Sequence, residues 1–149
     1  MATLQLLMCS FVICMSVSAQ VDSTNLFEKS KGLWQRPINS GVQILNSSGG
    51  FVHDRATFNG PKDSPVFAVF DGQVVSIEKK GSVYVIVTKF GKYIITYIAA
   101  SNPIVKKDDF IKSGQRIGLL KENEEGIFEI QIFLEKEAIR IDPNLWFSN

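Results

Sequence analysis

The chain has 149 residues, of which 45% are hydrophobic and 21% are charged, and its formal net charge is +1. This length and composition are those of one globular domain that can bury a sizeable core. The near-neutral balance excludes functions that depend on bulk charge, such as non-specific binding to nucleic acid or to a membrane surface.

The N-terminal segment MATLQLLMCSFVICMSVSAQ differs from the rest of the chain. It has no charged side chain, its apolar run extends from Leu6 to Val17, and it ends in small residues before Gln20. This pattern predicts a signal peptide over residues 1–19 and a secreted or periplasmic protein. Both cysteines, Cys9 and Cys14, fall inside this segment, so cleavage leaves a chain without thiols and without membrane insertion. A retained membrane anchor is the alternative, although the run is short for a bilayer span.

The segment 20–32 is polar and predicts a loose N-terminal lead-in, and residues 33–149 form the predicted domain. Short runs rich in Val, Ile, Phe and Tyr alternate there with turn residues, which is typical of strands. The dipeptide Asp71-Gly72, between VFAVF and QVVSIEK, predicts a tight hairpin. The runs SVYVIVTK, KYIITYI, RIGLL and IFEIQIFLE follow. No segment predicts a helix of about 12 residues or more. We therefore expect an all-β fold, a compact antiparallel two-sheet sandwich or flattened barrel.

The run IFEIQIFLE can be interpreted face by face, because side chains alternate along a strand. One face carries only apolar side chains and is the predicted core face: Phe128, Ile130, Ile132 and Leu134. The other face is mixed and carries Glu129, Gln131, Phe133 and Glu135. Glu129 and Gln131 have the spacing that places two ligands side by side on a sheet. Trp34 and Trp146, near the two ends of the domain, are predicted packing residues.

Three blocks, in the same order, resemble the lysostaphin/LytM-type zinc metallopeptidases. HDRATFNGPKDSPVFAVFDGQV is similar to the family's His-x-Gly-Ile-Asp-Phe and Pro-x-Gly-Thr-Pro-Val-x-Ala-x-x-Asp-Gly-x-Val. FGKYIITYIAASNPIVKKDDFIKSGQRIG resembles Gly-x-x-Thr-x-Tyr-x-His-Leu followed by Val-x-x-Gly-Asp-x-Val-x-x-Gly-Gln-x-Ile-Gly. EIQIFLEKEAIRIDPNLWF resembles His-Leu-His-Phe-Glu-Ile with its closing Asp-Pro-x-x-Trp. The resemblance implies the family's compact antiparallel fold, a duplicated hybrid motif, with a groove across one sheet.

The resemblance also implies where a zinc site would lie. Such enzymes hold zinc with His, Asp and a second His, and these positions correspond to His53, Thr57 and Gln131. The two further catalytic His positions correspond to Ala99 and Glu129. One zinc ligand of three is therefore retained, and neither catalytic imidazole is.

A structural zinc site with four protein ligands contributes about 10–16 kcal/mol, so one imidazole alone would bind zinc no tighter than about millimolar. The sequence accordingly predicts no metal, no cofactor and no catalytic residue, and leaves enzymatic activity open while favouring its loss. The resemblance implies a binding groove formed by His53, Thr57, Tyr97, Glu129 and Gln131. The predicted function is that of an activator or scaffold of cell-wall hydrolysis, whose partners are a cell-wall hydrolase or peptidoglycan peptides. The alternatives are an active zinc endopeptidase with a rearranged site, and an adaptor or carrier module outside the cell wall.

Overall fold

A computed structural model describes residues 22–44 and 53–148, apart from the side chain of Ala99. The predicted signal peptide, residues 1–19, lies outside the described residues. Within the described ranges, no helix is both long enough and apolar enough to cross a membrane.

The strands of the described chain form one antiparallel sheet. Its members are β1 (Val42–Gln43), β2 (Ala56–Asn59), β3 (Pro65–Phe67), β4 (Gly72–Lys80), β5 (Val83–Phe90), β6 (Tyr93–Ser101), β7 (Phe110–Ile111), β8 (Arg116–Leu120), β9 (Glu129–Lys136) and β10 (Ile139–Ile141). Their order is β1-β2-β9-β6-β5-β4-β7, while β10 pairs with β9, and β8 pairs with both β3 and β6. All these pairings are antiparallel.

The sheet curls at the end of β6. This strand pairs with β9 as far as Ile98 and then with β8 at Ala100 and Ser101. The change of partner joins β3 and β8 to the long strands, and residues of both groups share one hydrophobic cluster, which includes Val66, Ile117 and Ile130. The predicted all-β fold is therefore confirmed, and its strands belong to a single curled sheet.

Alternation along β9 is as the sequence predicts. Ile130, Ile132 and Leu134 are all fully buried. Glu129 and Gln131, on the opposite face, are only partly buried. The side of the sheet that carries Glu129 and Gln131 is called the outer face below.

The predicted tight hairpin at Asp71-Gly72 is wrong. β3 pairs with β8, and β4 pairs with β5 and β7, so the strands on either side of the dipeptide are not partners of each other. The Asp71 carboxylate instead accepts a hydrogen bond from the backbone N–H of Ser113, at 2.8 Å. A two-residue turn signal cannot distinguish a hairpin from a chain that crosses between partners.

Tight hairpins do occur after β4, β5 and β9. Gly81 and Gly91 begin the first two turns with φ of 61° and 57°, which glycine adopts readily. The turn between β9 and β10 uses Glu137 and Ala138, with φ of 51° and 65°. Left-handed conformations are unfavourable for residues with a Cβ, so this turn carries backbone strain.

The predicted loose lead-in, 20–32, is wrong for the part that the structure describes. The helix α1 (Ser23–Glu28) begins there, and the Asp22 side chain caps it by accepting from the Thr24 N–H at 3.0 Å. Phe27 on this helix is fully buried and stacks on Tyr93, with ring centroids 3.8 Å apart. The large apolar area of one aromatic ring therefore anchors a segment of otherwise polar composition.

The two ends of the domain are joined directly to each other. Trp34 and Phe147 form a parallel bridge, in which the Trp34 N–H donates to the Trp146 carbonyl at 2.8 Å and the Ser148 N–H donates to the Trp34 carbonyl at 3.0 Å. Both tryptophans are 2% exposed, which confirms that they are packing residues. The Trp34 indole N–H donates to the Ser30 hydroxyl at 2.9 Å, and the Trp146 indole N–H donates to the Phe27 carbonyl at 3.4 Å, so the lead-in and the tail share one interface.

Candidate functional site

Two of the predicted site residues, Thr57 and Gln131, lie directly opposite each other. β2 and β9 are neighbouring antiparallel strands, and their register pairs Thr57 with Gln131. Each is flanked by buried residues along its strand, so both side chains lie on the outer face. Opposed side chains on one face have Cβ atoms about 4.5–5.5 Å apart. The structure therefore brings these two positions within reach of one ligand.

Glu129 lies beside Gln131 and is held by amide groups. Its Oε1 accepts from the Gln131 side-chain N–H at 2.9 Å and from the Asn123 side-chain N–H at 3.3 Å. The Gln131 Oε1 lies 3.5 Å from Nη1 of Arg55. The Gln131 amide is thus oriented by a carboxylate on one side and a guanidinium on the other.

His53 precedes β2 and is directed towards the C-terminal segment. Its side chain is 86% exposed, and its Nδ1 lies 2.8 Å from Oδ2 of Asp142. The other carboxylate oxygen of Asp142 accepts from the Asn144 backbone N–H at 2.9 Å and so caps the short 3₁₀ helix Pro143–Leu145. The Asn144 side chain also donates to the Arg55 carbonyl at 3.1 Å. One carboxylate, that of Asp142, therefore bonds the His53 imidazole and caps the 3₁₀ helix at the same time.

These residues do not fit a zinc ion. Zinc in proteins is bound by thiolate, imidazole or carboxylate, and a catalytic site needs three such ligands. The hydroxyl of Thr57 and the amide of Gln131 are neutral oxygen and nitrogen groups, and the amide is already hydrogen-bonded to Glu129. Across the described ranges, no group of three or more His, Cys, Asp and Glu residues could hold a metal. Ala99, at the second catalytic position, lies in β6, and its side chain is outside the described structure.

The prediction that Tyr97 lines the groove is wrong. Tyr97 is fully buried, on the core face of β6 with Tyr93 and Ile95. Its hydroxyl oxygen accepts a hydrogen bond from the Val69 N–H at 3.1 Å. Burial raises the pKa of the Tyr97 hydroxyl far above its ordinary value. Tyr97 therefore supports the sheet from inside and cannot contact a ligand on the outer face.

Asn59, which was not among the residues predicted from the sequence, occupies the outer face of β2 two residues from Thr57. Asn59 is paired in register with Glu129. Its Oδ1 is buried and has no hydrogen-bond partner among the described residues. An alternation count from Thr57 would have placed Asn59 on the same face, because the two positions differ by two residues.

Two arginines flank an aromatic ring farther along the outer face. The guanidinium carbons of Arg55 and Arg140 lie 5.6 Å and 4.4 Å from the centroid of the Phe133 ring. Arg140 also donates to the Glu135 carboxylate at 3.1 Å. Cation–π contacts of this kind hold partly exposed arginine side chains in place. The sequence contained no local signal for this cluster, because its members come from three segments.

Several solved structures share this fold at low sequence identity. A putative peptidase M23 from Pseudomonas aeruginosa matches with a TM-score of 0.66 and 16% identity, over 84% of this chain and 60% of that one. A chain of the SpoIIIAH–SpoIIQ complex matches with a TM-score of 0.63 and 17% identity, over 74% of this chain and 96% of that one. Lysostaphin matches with a TM-score of 0.58 and 19% identity, over 75% of this chain and 53% of that one.

This chain spans only 32% of Helicobacter pylori Csd3, another structural match, and 60% of the Pseudomonas aeruginosa peptidase. At such identities these likenesses show the fold alone. No curated protein matches the sequence significantly. The family model of Peptidase family M23 matches residues 51–143, which is more than half of the chain and includes the whole outer-face site. The chain therefore belongs to peptidase family M23.

Proposed function

We propose that this family M23 domain acts by binding and not by hydrolysis, as an exported activator or scaffold of cell-wall hydrolysis. The observation that carries the proposal is the pairing of Thr57 with Gln131. The family resemblance places an Asp and a His ligand at these opposed positions, and here they hold a hydroxyl and an amide. We infer that the fold has kept these two positions opposed while their donor atoms have been exchanged.

The energetic consequence of this exchange is large. Four protein ligands bind structural zinc with about 10–16 kcal/mol, and a single imidazole supplies about a quarter of that. A quarter corresponds to millimolar affinity or weaker. His53 is arranged as a surface side chain, because it is 86% exposed and hydrogen-bonded to Asp142.

The outer face has the composition of a recognition surface. Rows of opposed residues cross it from β5 to β9, and these rows mix apolar with polar side chains: Val87, Thr96 and Phe133 in one, Val85, Ile98 and Gln131 in the next. Partly buried apolar groups interrupted by a few oriented polar groups are typical of sites that bind peptides and small ligands. The likeness to a chain of the SpoIIIAH–SpoIIQ complex supports the same proposal, because that complex is an assembly of two proteins.

The proposed location follows from the N-terminal segment, which has the pattern of a signal peptide. The resemblance of the sequence to the lysostaphin/LytM-type enzymes supports cell-wall chemistry as the proposed setting. We infer that the partner is a cell-wall hydrolase or the peptide portion of peptidoglycan.

The absence of peptidase activity is tested first on the purified protein. We expect substoichiometric zinc by elemental analysis and no release of soluble fragments from isolated peptidoglycan sacculi, with or without added zinc. About one zinc per chain that is lost on His53→Ala, together with hydrolysis, would instead establish an active peptidase with a rearranged site.

Binding is tested by co-sedimentation with isolated sacculi and by capture of partners from an envelope extract. Glu129→Lys should weaken whichever interaction is found, because it reverses a charge on the outer face. Glu125→Lys is the matched control, since Glu125 is an exposed turn residue outside that face. Equal effects of the two variants would show that the outer face is not the contact surface. Binding to neither sacculi nor a wall hydrolase would favour an adaptor role elsewhere.

A further inference from the structure

A cavity opens where β4, β5 and β7 meet, away from the residues discussed so far. Its volume is about 490 Å³, and residues of all three strands line it. This volume is within the range of about 300–1,000 Å³ that is typical of sites for small ligands. Thr57 and Gln131 lie on β2 and β9, and both β6 and β5 lie between β9 and β4 in the sheet. The cavity is therefore a separate place on the molecule.

Three opposed residues form a row along the cavity, one on each strand. The register pairs Phe110 of β7 with Gln73 of β4, and Gln73 with Lys89 of β5. All three line the cavity. Opposed side chains share one face of a sheet, with Cβ atoms about 4.5–5.5 Å apart. The row therefore presents an aromatic ring, a primary amide and an ammonium group, in that order.

The apolar end of the row is accessible to a ligand. Phe110 is 79% exposed, more than any other large hydrophobic residue in the described part of the chain. The partly buried Phe90 lines the same cavity. An apolar side chain that packs against the Phe110 ring removes the ring from water, and aromatic pairs gain further from their geometry.

The uncompensated charge in the cavity is positive. Asp71 lines the cavity, but its Oδ1 accepts from the Ser113 N–H at 2.8 Å and its Oδ2 lies 3.6 Å from Nζ of Lys112. Lys89 is exposed and has no ion pair with any described residue. Two lysines and one aspartate leave a net charge of +1 at the cavity. This charge favours a carboxylate on the ligand, because charge-assisted hydrogen bonds are the stronger ones.

The amide between the ring and the ammonium offers an acceptor. Nε2 of Gln73 donates to the Asp108 carbonyl at 3.3 Å, which orients the side chain. Oε1 of Gln73 accepts no hydrogen bond from any described residue. The C-terminal residue of a peptide carries a side chain, an N–H donor and a carboxylate on one Cα, and these match the ring, the amide oxygen and the ammonium. A fatty acid has no N–H donor for Gln73.

We propose that this cavity binds the C-terminal residue of a peptide whose last side chain is aromatic. The side chain packs against Phe110, the N–H donates to Oε1 of Gln73, and the carboxylate accepts from Nζ of Lys89. The proposal goes beyond the proposed function and does not depend on it, because the two sites share no residue.

The direct test is a titration of the ¹⁵N-labelled protein with N-acetylphenylalanine, followed by NMR. We expect shifts of the backbone amide signals of Gly72, Gly91 and Phe110, which line the cavity, with a dissociation constant on the order of millimolar. Three comparison compounds each lack one group: the methylamide lacks the charge, N-acetylglycine lacks the ring, and 3-phenylpropanoate lacks the N–H. Each should bind at least about threefold more weakly. Equal binding of the methylamide or of N-acetylglycine would overturn the site, and equal binding of 3-phenylpropanoate would overturn its assignment to a peptide.

Two substitutions at exposed side chains test the same contacts from the protein. Lys89→Gln and Phe110→Ala should each weaken binding of N-acetylphenylalanine about fivefold, and neither removes a buried group. The matched controls are Lys79→Gln and Ile139→Ala, at exposed residues outside the cavity, which should leave the affinity unchanged. Added salt should weaken binding to the wild-type protein more than to Lys89→Gln, since it screens an exposed ion pair. An unchanged affinity in both site variants, or equal losses in the controls, would contradict the proposal.

Discussion

Rebuilding the zinc site is the most stringent test of the position assigned to Thr57 and Gln131. The double substitution Thr57→Asp with Gln131→His places a carboxylate and an imidazole on opposed positions of β2 and β9. Together with His53 these donors form a three-ligand set of the kind found in catalytic zinc sites. A register shifted by one residue would send either new side chain into the core, so the outcome reports directly on the register.

The expected affinity can be worked out from the structure. Three of four ligands correspond to about 7–12 kcal/mol if contributions scale with ligand number. His53 must leave Asp142, to which its Nδ1 is bonded at 2.8 Å, and breaking one exposed hydrogen bond costs about 1 kcal/mol. The middle of the range then leaves about 8.5 kcal/mol, which corresponds to a dissociation constant slightly below about 1 μM.

Isothermal titration calorimetry of the folded double variant with zinc measures this affinity. Adding His53→Ala should weaken binding at least about tenfold, because it removes one of the three ligands. A matched control is Thr96→Asp with Phe133→His, which introduces the same two donors at opposed positions of β6 and β9 on the same face, away from Thr57. If the double variant folds and binds zinc no better than this control, His53 does not converge with the other two positions and the reasoning fails.

Three further predictions concern stability. Phe27→Ala should lower the free energy of unfolding, measured by urea titration, by about 3–5 kcal/mol. The control is the neighbouring Leu26→Ala, which should lower it much less because the Leu26 side chain is 46% exposed. Similar losses in the two variants would show that α1 is not part of the core. The Glu28 carboxylate has its pKa lowered to about 2, chiefly by its hydrogen bond to Lys31, so its stabilising contribution is present above pH 4.5 and is lost as the pH falls towards 2. Glu28→Gln should therefore flatten the acid limb of the stability profile in that window, and an unchanged profile would contradict the assignment. Ala138→Gly should stabilise the protein by about 0.5–1 kcal/mol, because glycine adopts the φ of 65° at this position without strain. The gain is measured as a higher melting temperature, and a loss of stability would refute the strain at this turn.

The alternation of apolar and polar residues along a strand was the sequence feature that predicted the structure best. The core face of β9 could be assigned from Ile130, Ile132 and Leu134 because each residue's direction depends only on its own position in the strand. The same rule, applied to KYIITYI, would have placed Tyr97 with Tyr93 on the core side. A resemblance to a motif gives the position of a residue along a strand, whereas alternation decides which face its side chain occupies.

Features that depend on distant partners could not be predicted in the same way. Nothing local in the polar lead-in indicates that Phe27 meets Tyr93, since this contact joins segments that are far apart in sequence. Likewise, the Asp71-Gly72 signal is local, and the carboxylate's partner, the Ser113 N–H, is contributed by another part of the chain. The site itself was predicted where pairing register follows from the family resemblance, as at Thr57 and Gln131. Asn59 was not predicted as part of the site, because it corresponds to no functional position in the family motif.

The parallel bridge between Trp34 and Phe147 has a mechanical consequence. The bonds that join the two segments span 114 positions of the chain, so they close the domain almost end to end. If the domain is pulled by its two ends, these parallel segments are loaded in shear and their hydrogen bonds share the force together. Tension applied to the two ends would load the bridge between Trp34 and Phe147 before it loads the strands that carry the outer face. A protein tethered at one end and attached to a partner at the other could therefore bear load while its recognition surface stays undistorted.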